Sequence, residues 1–253
     1  MNILITNDDG ISSNGIAALV AVIKKIAVVT VVAPDTEQSA VGHGITAAMP
    51  LRVAEFYRRG ALFGYAVSGT PVDCVKIAVK EILEKRPDMI ISGINHGPNT
   101  GTHIIYSGTV SAAIEGTIMG IPAFAISLGT YQAADFSYAA LVARRVATGI
   151  REKGLPRGVL LSVNVPPVPA EQIRGFRLTV QGETKFIGVV EKRVDPRGRT
   201  YYWLSPQIEE VSGPPVLDTV ALRNNEVSIT PLHYDMTCHK HWKDFKSWPL
   251  FDH

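Results

Sequence analysis

Residues 3–34 read ILITNDDGISSNGIAALVAVIKKIAVVTVVAP, in which two short apolar runs enclose a helical pattern. The first run is Ile3-Leu4-Ile5, and the second is the β-branched run at 28–33. Between them, apolar residues recur at the spacing of one helix face, at Ile16, Leu19, Val20 and Ile23. A strand, a helix and a second strand in this order begin the alternation that builds a parallel sheet.

The same alternation continues along the chain. It predicts further strands near 62–67, 89–91, 123–127 and 159–165, and helices near 71–83, 107–119 and 135–153. Continuous apolar strands between amphipathic helices predict an α/β fold, with a mostly parallel sheet and helices on both faces. In such a sheet, ligands bind beyond the carboxyl ends of the strands, so the loops that follow strands are the candidate sites.

The pattern changes after about residue 166. The turn sequence Asp195-Pro196-Arg197-Gly198 separates two strand-like segments, 185–194 and 199–204, and these residues predict a β-hairpin. The hairpin carries many charges, which suits an exposed arm, and it is too small to bury a core of its own. We therefore expect this arm to pack on another subunit.

One domain is expected over residues 1–253. Residues 1–166 form the α/β core with the functional loops. Residues 167–253 supply the arm, a returning strand near 226–230 and a C-terminal extension used in oligomerisation. The tail from residue 233 mixes aromatic and charged side chains and has no predicted place in the sheet.

The composition excludes several classes of protein. The 253 residues include 25 Lys and Arg against 23 Asp and Glu, and a net charge of +2 argues against bulk binding to nucleic acid or to an anionic membrane. Cys74 and Cys238 form no CxxC motif, which excludes a zinc ribbon and favours a reducing compartment. No secretory signal is visible, because Asp8 and Asp9 interrupt the opening apolar stretch. We expect a cytoplasmic protein.

The first loop after a strand is Asn7-Asp8-Asp9-Gly10. Two adjacent carboxylates repel each other, and a bound cation removes that repulsion. Mg²⁺ and Mn²⁺ prefer such oxygen ligands. The alternative is a turn in which Asp8 caps a helix, because Asp-Gly is common in turns.

The second loop, 34–46, is rich in small residues around His43. These let the backbone approach a ligand, and Ser39 offers a neutral oxygen. His43, which lies between Gly42 and Gly44, would reach a substrate as acid, base or hydrogen-bond donor. A flexible linker with an exposed histidine would have a similar sequence.

The third loop runs from Ser92-Gly93-Ile94-Asn95 to Ser107-Gly108-Thr109 and is too polar for a core segment. Its end precedes a predicted helix, where unpaired backbone N–H groups and the helix dipole suit a phosphate. The alternative is that Ser107 simply caps the helix.

Several familiar motifs are absent. Gly10 and Gly15 have P-loop spacing, but Ile16-Ala17 follows instead of Lys-Ser/Thr. No GxGxxG follows a strand, and no GxSxG motif is present. The histidines and the cysteine of the tail match no structural zinc pattern: His233, Cys238, His239 and His241.

A set of short motifs occurs in one order along the chain: NDDG at 7–10, SGTP at 68–71, SGIN at 92–95, YSGT at 106–109, EG at 115–116, GIPA at 120–123, VNVP at 163–166 and SITPL at 228–232. From residue 1 to about residue 235, this ordered set resembles the SurE family of stationary-phase survival proteins. The resemblance implies a Rossmann-like α/β core. It also implies a divalent-metal-dependent phosphatase acting on nucleoside monophosphates, a 5′-nucleotidase for which 3′-nucleotidase and exopolyphosphatase activities stay open.

The resemblance also implies the site residues. The family's ligands for one divalent ion per subunit, Mg²⁺ or Mn²⁺, correspond here to Asp8, Asp9, Ser39 and Asn95. Ser107, Gly108 and Thr109 would hold the phosphate, and Gly42 and His43 would join them in binding the substrate. The expected catalytic residues are Asp8, Asp9, Asn95 and Ser107. Family members form homodimers or tetramers through a hairpin and C-terminal segments, which the arm and the extension would supply here.

Some alternatives stay open at this point. His96, Pro98 and Thr100 stand where family loops more often carry small residues and leucine, which affects substrate preference. Water is the favoured nucleophile, with the Asp8 carboxylate as the alternative. Glycosyl transfer would need a second nucleotide-binding domain, for which the residues after 166 are too few. A metal-dependent nucleotide sensor would use the same pocket without releasing phosphate.

Overall fold

Eleven strands and six α-helices form the part of the chain that the computed structural model describes, residues 1–132, 135–183, 185–209, 213–248 and 250. The strands are β1 (Asn2–Thr6), β2 (Val28–Pro34), β3 (Val53–Arg58), β4 (Ala61–Val67), β5 (Met89–His96), β6 (Ala123–Leu128), β7 (Val159–Val165), β8 (Gly175–Leu178), β9 (Lys185–Val194), β10 (Thr200–Glu209) and β11 (Glu226–His233). The helices are α1 (Asn14–Ile23), α2 (Pro71–Ile77), α3 (His103–Tyr106), α4 (Gly108–Ile118), α5 (Ser137–Lys153) and α6 (Asp218–Arg223). A π-helical segment, Ala78–Ile82, continues α2, and 3₁₀ turns lie at Ala170–Gln172 and Trp242–Ser247.

Nine of the described strands form one sheet in the order β3-β4-β2-β1-β5-β6-β7-β11-β8. The six strands from β4 to β7 in this order run parallel to one another, whereas β3 and β11 are antiparallel to β4 and β7. Helices cover both faces, as the alternation of strand and helix predicts. The α/β fold with a mostly parallel sheet is therefore confirmed.

The core consists of two apolar layers, one on each face of the sheet. On one face, α1 and α5 pack together over Ile3, Ile5 and Ile91. On the other face, α2 and α4 cover Leu4 and Ile90. Side chains of one strand alternate between the two layers because successive residues point to opposite faces.

Local sequence determines where α2 begins. Thr70 and Asp73 form a capping box at the start of α2, because the Thr70 hydroxyl accepts from the Asp73 N–H and the Asp73 carboxylate accepts from the Thr70 N–H. Pro71 occupies the first helical position, where its missing N–H costs nothing. This boundary lies where the sequence predicts it.

The topology of the sheet determines where a ligand site belongs. Strand β1 has β2 on one side and β5 on the other, so the chain moves in opposite directions from β1. At this reversal the helices of neighbouring strands lie on opposite faces, which opens a crevice at the carboxyl ends. The crevice lies beside Thr6 and Ser92, which pair in register at the ends of β1 and β5.

The C-terminal part contains the hairpin arm, formed by β9 and β10 in antiparallel register as a separate two-stranded sheet. Strand β11 returns to the large sheet, where it pairs with β7 and with the short strand β8. The sequence pattern missed the strands β3 and β8, which are largely exposed, and the helices α3 and α6, which have only four and six residues. Residues 249 and 251–253 of the C-terminal tail lie outside the described residues.

Among the described residues, no helix combines the length and the apolar composition that are needed to cross a bilayer.

Candidate active site

Asp8 lies directly after β1 and is buried, with only 5% of its surface exposed. Its carboxylate is held by Thr109 at the start of α4. The Thr109 N–H donates to Oδ2 at 2.9 Å, and the Thr109 hydroxyl donates to Oδ1. The loop after β1 is thus attached to the first turn of α4.

Gly108 makes this close approach possible. A Cβ at this position would lie 2.9 Å from the Cβ of Asp8 and 3.2 Å from the ring of Pro71. Glycine is therefore required by packing, because any side chain would push α4 away from Asp8.

Asp9, in the loop after β1, contacts the end of β5 at the residue that follows Asn95. The Asp9 Oδ2 accepts from the His96 N–H at 3.0 Å. A bulge between Gly93 and Asn95 shifts the register with β6 and turns the end of β5. The Asn95 Nδ2 donates to the carbonyl of Gly97 at 2.7 Å, so its Oδ1 faces away from that carbonyl.

The electrostatics of the two carboxylates favour a nearby cation. Burial raises the pKa of Asp8 to about 6; the hydrogen bond from the Thr109 hydroxyl opposes this, and the charge of Asp9 adds to it. Burial also raises the pKa of Asp9, against the bond from the His96 N–H, and the charge of Glu37 raises it further. A cation beside both carboxylates would stabilise their ionised forms and so offset the effects of burial and of like charge.

The available donors fit Mg²⁺ or Mn²⁺ and do not fit a thiolate or histidine site. Within the described ranges, no group of three or more His, Cys, Asp or Glu side chains is arranged to hold a metal. The site instead combines two carboxylates with neutral amide oxygens, which hard divalent ions accept together with water. Asn7 belongs to the same loop, and its buried Oδ1 has no hydrogen-bond partner among the described residues.

Ser39 lies on an exposed part of the loop after β2. The neighbouring Gln38 N–H donates to the Asp8 carbonyl at 2.8 Å, which brings this loop against the end of β1. The Ser39 hydroxyl itself donates to Glu37 at 2.5 Å. The structure therefore brings the backbone next to Ser39 against Asp8, while the hydroxyl bonds to a carboxylate of its own loop.

Residues 39–46, called the strap below, continue from this loop toward α4. The Gly42 N–H donates to the carbonyl of Tyr106 at 3.0 Å. The Nε2 of His43 lies 3.0 Å from Oε2 of Glu115. The strap thus contacts both the segment before α4 and the body of that helix.

The other end of the strap is tied to the start of α2. The Thr70 hydroxyl donates to the Gly44 carbonyl at 2.8 Å. The Thr46 N–H points to the carboxylate of Asp73, at 3.1 and 3.2 Å from its two oxygens. The capping box of α2 therefore also positions the strap.

Ser107 is the N-cap of α4, and its hydroxyl oxygen accepts from the Val110 N–H at 3.0 Å. This is the capping role that the sequence leaves open. The hydroxyl proton stays available to donate, so capping does not conflict with phosphate binding.

The segment after Asn95 is anchored from two sides. The side chain of Asn164 on β7 bonds to both backbone groups of Asn99, at 2.8 and 3.1 Å. Fully buried Asp218 accepts from the Gly101 N–H at 2.9 Å, and its other oxygen accepts from the N–H groups of Gly182 and Thr219. These carboxylate and amide groups hold the loop after β5 in one shape.

Residues 3–187 match the family described as Survival protein SurE. The 5′-nucleotidase SurE of Syntrophobacter fumaroxidans is 47% identical over 250 residues, which span 99% of this chain and 100% of that protein. The chain belongs to the SurE family. A second SurE relative, the 5′-nucleotidase SurE of Pelobacter propionicus, is 49% identical over 249 residues, covering 98% of this chain and 99% of that protein. The SurE protein from Aquifex aeolicus has a crystal structure that matches with a TM-score of 0.84 at 40% identity, covering 97% of this chain and 98% of that chain.

In this SurE chain, the sequence missed three anchoring residues: Glu115, Asn164 and Asp218. Two of them carry a signal in the sequence. Glu115 is the sole charged residue within α4, and Asn164 interrupts an apolar strand. A lone polar side chain in a buried element needs a hydrogen-bond partner. Glu115 finds its partner in the strap, and Asn164 finds its partner in the loop after β5.

Proposed function

We propose that this protein is a divalent-metal-dependent phosphatase that hydrolyses nucleoside 5′-monophosphates to a nucleoside and phosphate. The observation that carries the proposal is the attachment of the Asp8 carboxylate to the first turn of α4. A cation site next to donors for an anion suits a phosphate ester. The names of the two relatives, both 5′-nucleotidase SurE, support a nucleotide as the substrate.

The first turn of α4 is the proposed phosphate site. Ser107 offers a hydroxyl at the N-cap, and Gly108 offers an N–H at the first helical position, where the helix itself has no acceptor for it. The positive end of the helix dipole favours an anion at the same place. Thr109 joins this turn and holds Asp8 beside it.

The proposed ligands of one Mg²⁺ or Mn²⁺ per subunit are Asp8, Asp9, Ser39 and Asn95. When bound, the cation supplies charge stabilisation to the phosphoryl group and activates water. Thr109 donates a hydrogen bond to each oxygen of Asp8, and these two bonds lower the nucleophilicity of the carboxylate. Water is therefore the nucleophile that we propose. The N–H and hydroxyl donors of the α4 turn stabilise the charge that develops on the phosphoryl oxygens.

The strap completes the proposed substrate site. Gly42 brings the backbone close to the turn before α4, and His43 offers a ring nitrogen to the substrate. Nucleoside 3′-monophosphates and polyphosphate belong to the same proposal, because the same turn and the same cation would serve them. We also propose a cytoplasmic homodimer or tetramer that is assembled through the arm and the C-terminal extension.

Phosphate release from a panel of 5′- and 3′-nucleoside monophosphates tests this function. Protein that has been freed of metal with EDTA is expected to be inactive, and added Mg²⁺ or Mn²⁺ is expected to restore turnover. Asp8→Asn should lower kcat by about 100-fold or more, because one of the two charged ligands is lost. Titration with Mn²⁺, followed by electron paramagnetic resonance, should show weaker binding to this variant.

Asp88→Asn is the matched control. Asp88 is an exposed carboxylate immediately before β5, so it lies at the amino ends of the parallel strands, opposite the carboxyl ends where the candidate site lies. This variant should keep wild-type turnover and Mn²⁺ affinity. Full activity after thorough metal removal would contradict the metal requirement. Binding of monophosphates without any phosphate release, by folded and metal-loaded protein, would favour the sensor instead.

A further inference from the structure

Glu115 is a buried carboxylate that the proposed chemistry does not yet use. It lies on α4 about two turns after Gly108, and 3% of its surface is exposed. Its Oε1 accepts from the Lys76 ammonium at 2.6 Å, and its Oε2 lies 3.0 Å from Nε2 of His43. A buried carboxylate is costly unless it is paired, and here one of the two partners belongs to the strap.

The protonation of this cluster follows from its hydrogen bonds. Burial raises the pKa of Glu115, but the bonds from His43 and Lys76 outweigh burial and hold that pKa below its ordinary value. The carboxylate is therefore ionised near neutral pH and can only accept. The Nε2 of His43 must then carry a proton, since two acceptors cannot share a hydrogen bond. The other ring nitrogen, Nδ1, lies on the far side of the ring from Glu115.

The position of His43 along the strap connects this cluster to the first turn of α4, the proposed phosphate site. The preceding residue, Gly42, is hydrogen-bonded to Tyr106, which adjoins Ser107. The following residue, Gly44, is hydrogen-bonded to Thr70 at the start of α2. With its backbone held on both sides, His43 has one main remaining freedom, the orientation of its ring, and Glu115 sets that orientation.

We propose that Glu115 is the positioning residue of His43, holding the ring through Nε2 so that Nδ1 is the atom offered to the phosphate ester. The proposal rests on the proposed function, because it assigns His43 a place in the same substrate site. Lys76 completes the cluster by balancing the charge of the buried carboxylate. A histidine held by a carboxylate in this way presents one defined nitrogen to its ligand, as is common where a ring must be oriented.

A double-mutant cycle tests whether Glu115 acts through His43. Glu115→Gln and His43→Ala should each lower kcat/KM for nucleoside monophosphates by about 10-fold or more. The double variant should be no less active than His43→Ala alone, because Glu115 has nothing left to position. Multiplied losses in the double variant would mean that Glu115 only supports the fold, and they would overturn the proposal.

Nitrogen-15 NMR of the imidazole rings gives a second readout, which uses wild-type protein and needs no turnover. The His43 signals, assigned by their absence from His43→Ala, should show a protonated Nε2 at neutral pH. Glu115→Gln should shift these signals and broaden them, because Gln has one acceptor oxygen for two donors. A wild-type ring that is protonated on Nδ1 alone would overturn the proposal, whether or not Glu115→Gln folds.

Glu226→Gln is the matched control, since it also neutralises a carboxylate that pairs with a cation, on β11 and away from α4. It should leave kcat/KM and the His43 signals unchanged. If the wild type releases no phosphate from any monophosphate, the proposed function fails. The NMR experiment still decides which ring nitrogen of His43 is protonated and whether Glu115 holds the ring. If the wild type is active and the cycle is multiplicative, the function stands and the role of Glu115 is wrong.

Discussion

At the scale of single residues, an ion pair between Arg177 and Glu226 joins β8 to β11. The guanidinium Nε and Nη2 each lie 2.6 Å from one oxygen of Glu226. The hydrogen bond from Arg177 lowers the pKa of Glu226 below its ordinary value. Because the folded-state pKa lies below the unfolded one, the pair stabilises the fold above the unfolded pKa. That contribution is lost as the pH falls through the folded pKa.

Glu226→Gln should therefore lower the free energy of unfolding at pH 7, and the difference from wild type should shrink as the pH falls below about 4.3. Urea unfolding at a series of pH values measures this difference. Glu152→Gln is a suitable control, since the distance from Glu152 to Arg151 is 4.0 Å and both side chains are exposed. A difference that stayed constant between pH 7 and pH 3 would contradict the role of the ion pair.

The sequence predicts the residues of the candidate site better than it predicts their partners. Asp8 and Asp9 are predicted because two adjacent carboxylates follow an apolar strand, whereas Asn95, which lies inside β5, is predicted through the resemblance to the family. The sequence does not predict that Thr109 bonds to both oxygens of Asp8, because that contact depends on how closely α4 approaches β1. The part of Thr109 in phosphate binding stays a prediction.

At the scale of elements, α5 ends at a residue whose backbone only glycine adopts easily. Gly154 has φ +72° and ψ 178°, and its N–H closes the last turn by donating to the Ile150 carbonyl. Side chains are strained in this conformation. The sequence predicts this stop, because glycine commonly follows the last helical residue.

Gly154→Ala should destabilise the protein by about 1–3 kcal/mol, because alanine is strained at this φ and ψ. Gly149→Ala, inside the same helix, should stabilise it by about 0.5–1 kcal/mol, because alanine loses less conformational freedom there. An added Cβ would meet nothing within 4 Å at either position, so backbone conformation alone separates the two variants. Urea unfolding midpoints measure both, and equal effects would contradict the assignment of the helix end.

Elements at the edges of the sheet are harder to predict than those in its centre. Central strands such as β6, and the first residues of β5, are buried on both faces and appear as apolar runs. Strand β3 is largely exposed, and its sequence VAEFYR mixes charged and apolar residues, so no clear pattern marks it. Strand β5 continues to His96, beyond the apolar run 89–91, because its backbone goes on pairing with β6 through the polar and small residues that follow.

At the scale of the whole molecule, the arm exposes apolar side chains on both of its strands. Val190 and Leu204 are directly opposite each other on β9 and β10, and they are 57% and 74% exposed. Tyr202 and Trp203 on β10 are also exposed. A two-stranded arm with apolar side chains in water is poorly stable alone, and contiguous exposed apolar surface marks an interaction site.

A Val190→Asp and Leu204→Asp double variant should therefore lower the mass of the proposed homodimer or tetramer in solution. Sedimentation velocity across a range of protein concentrations measures this mass. Val28→Asp, which changes an exposed apolar residue at the start of β2, is the control and should leave the mass unchanged. A wild-type protein that sediments as a monomer at all concentrations would contradict the proposed assembly.

By itself, the sequence determined the alternation of strands and helices, the start of α2, the end of α5 and the polar loops, because side-chain periodicity and capping act over a few residues. Only the tertiary structure decided which loops meet. Thr109 and Asp8, which are in contact, are 101 residues apart in the sequence. The separation is 72 residues for Glu115 and His43 and 117 residues for Gly101 and Asp218. Such pairs depend on the order of the strands and the packing of helices onto them, which no local pattern encodes.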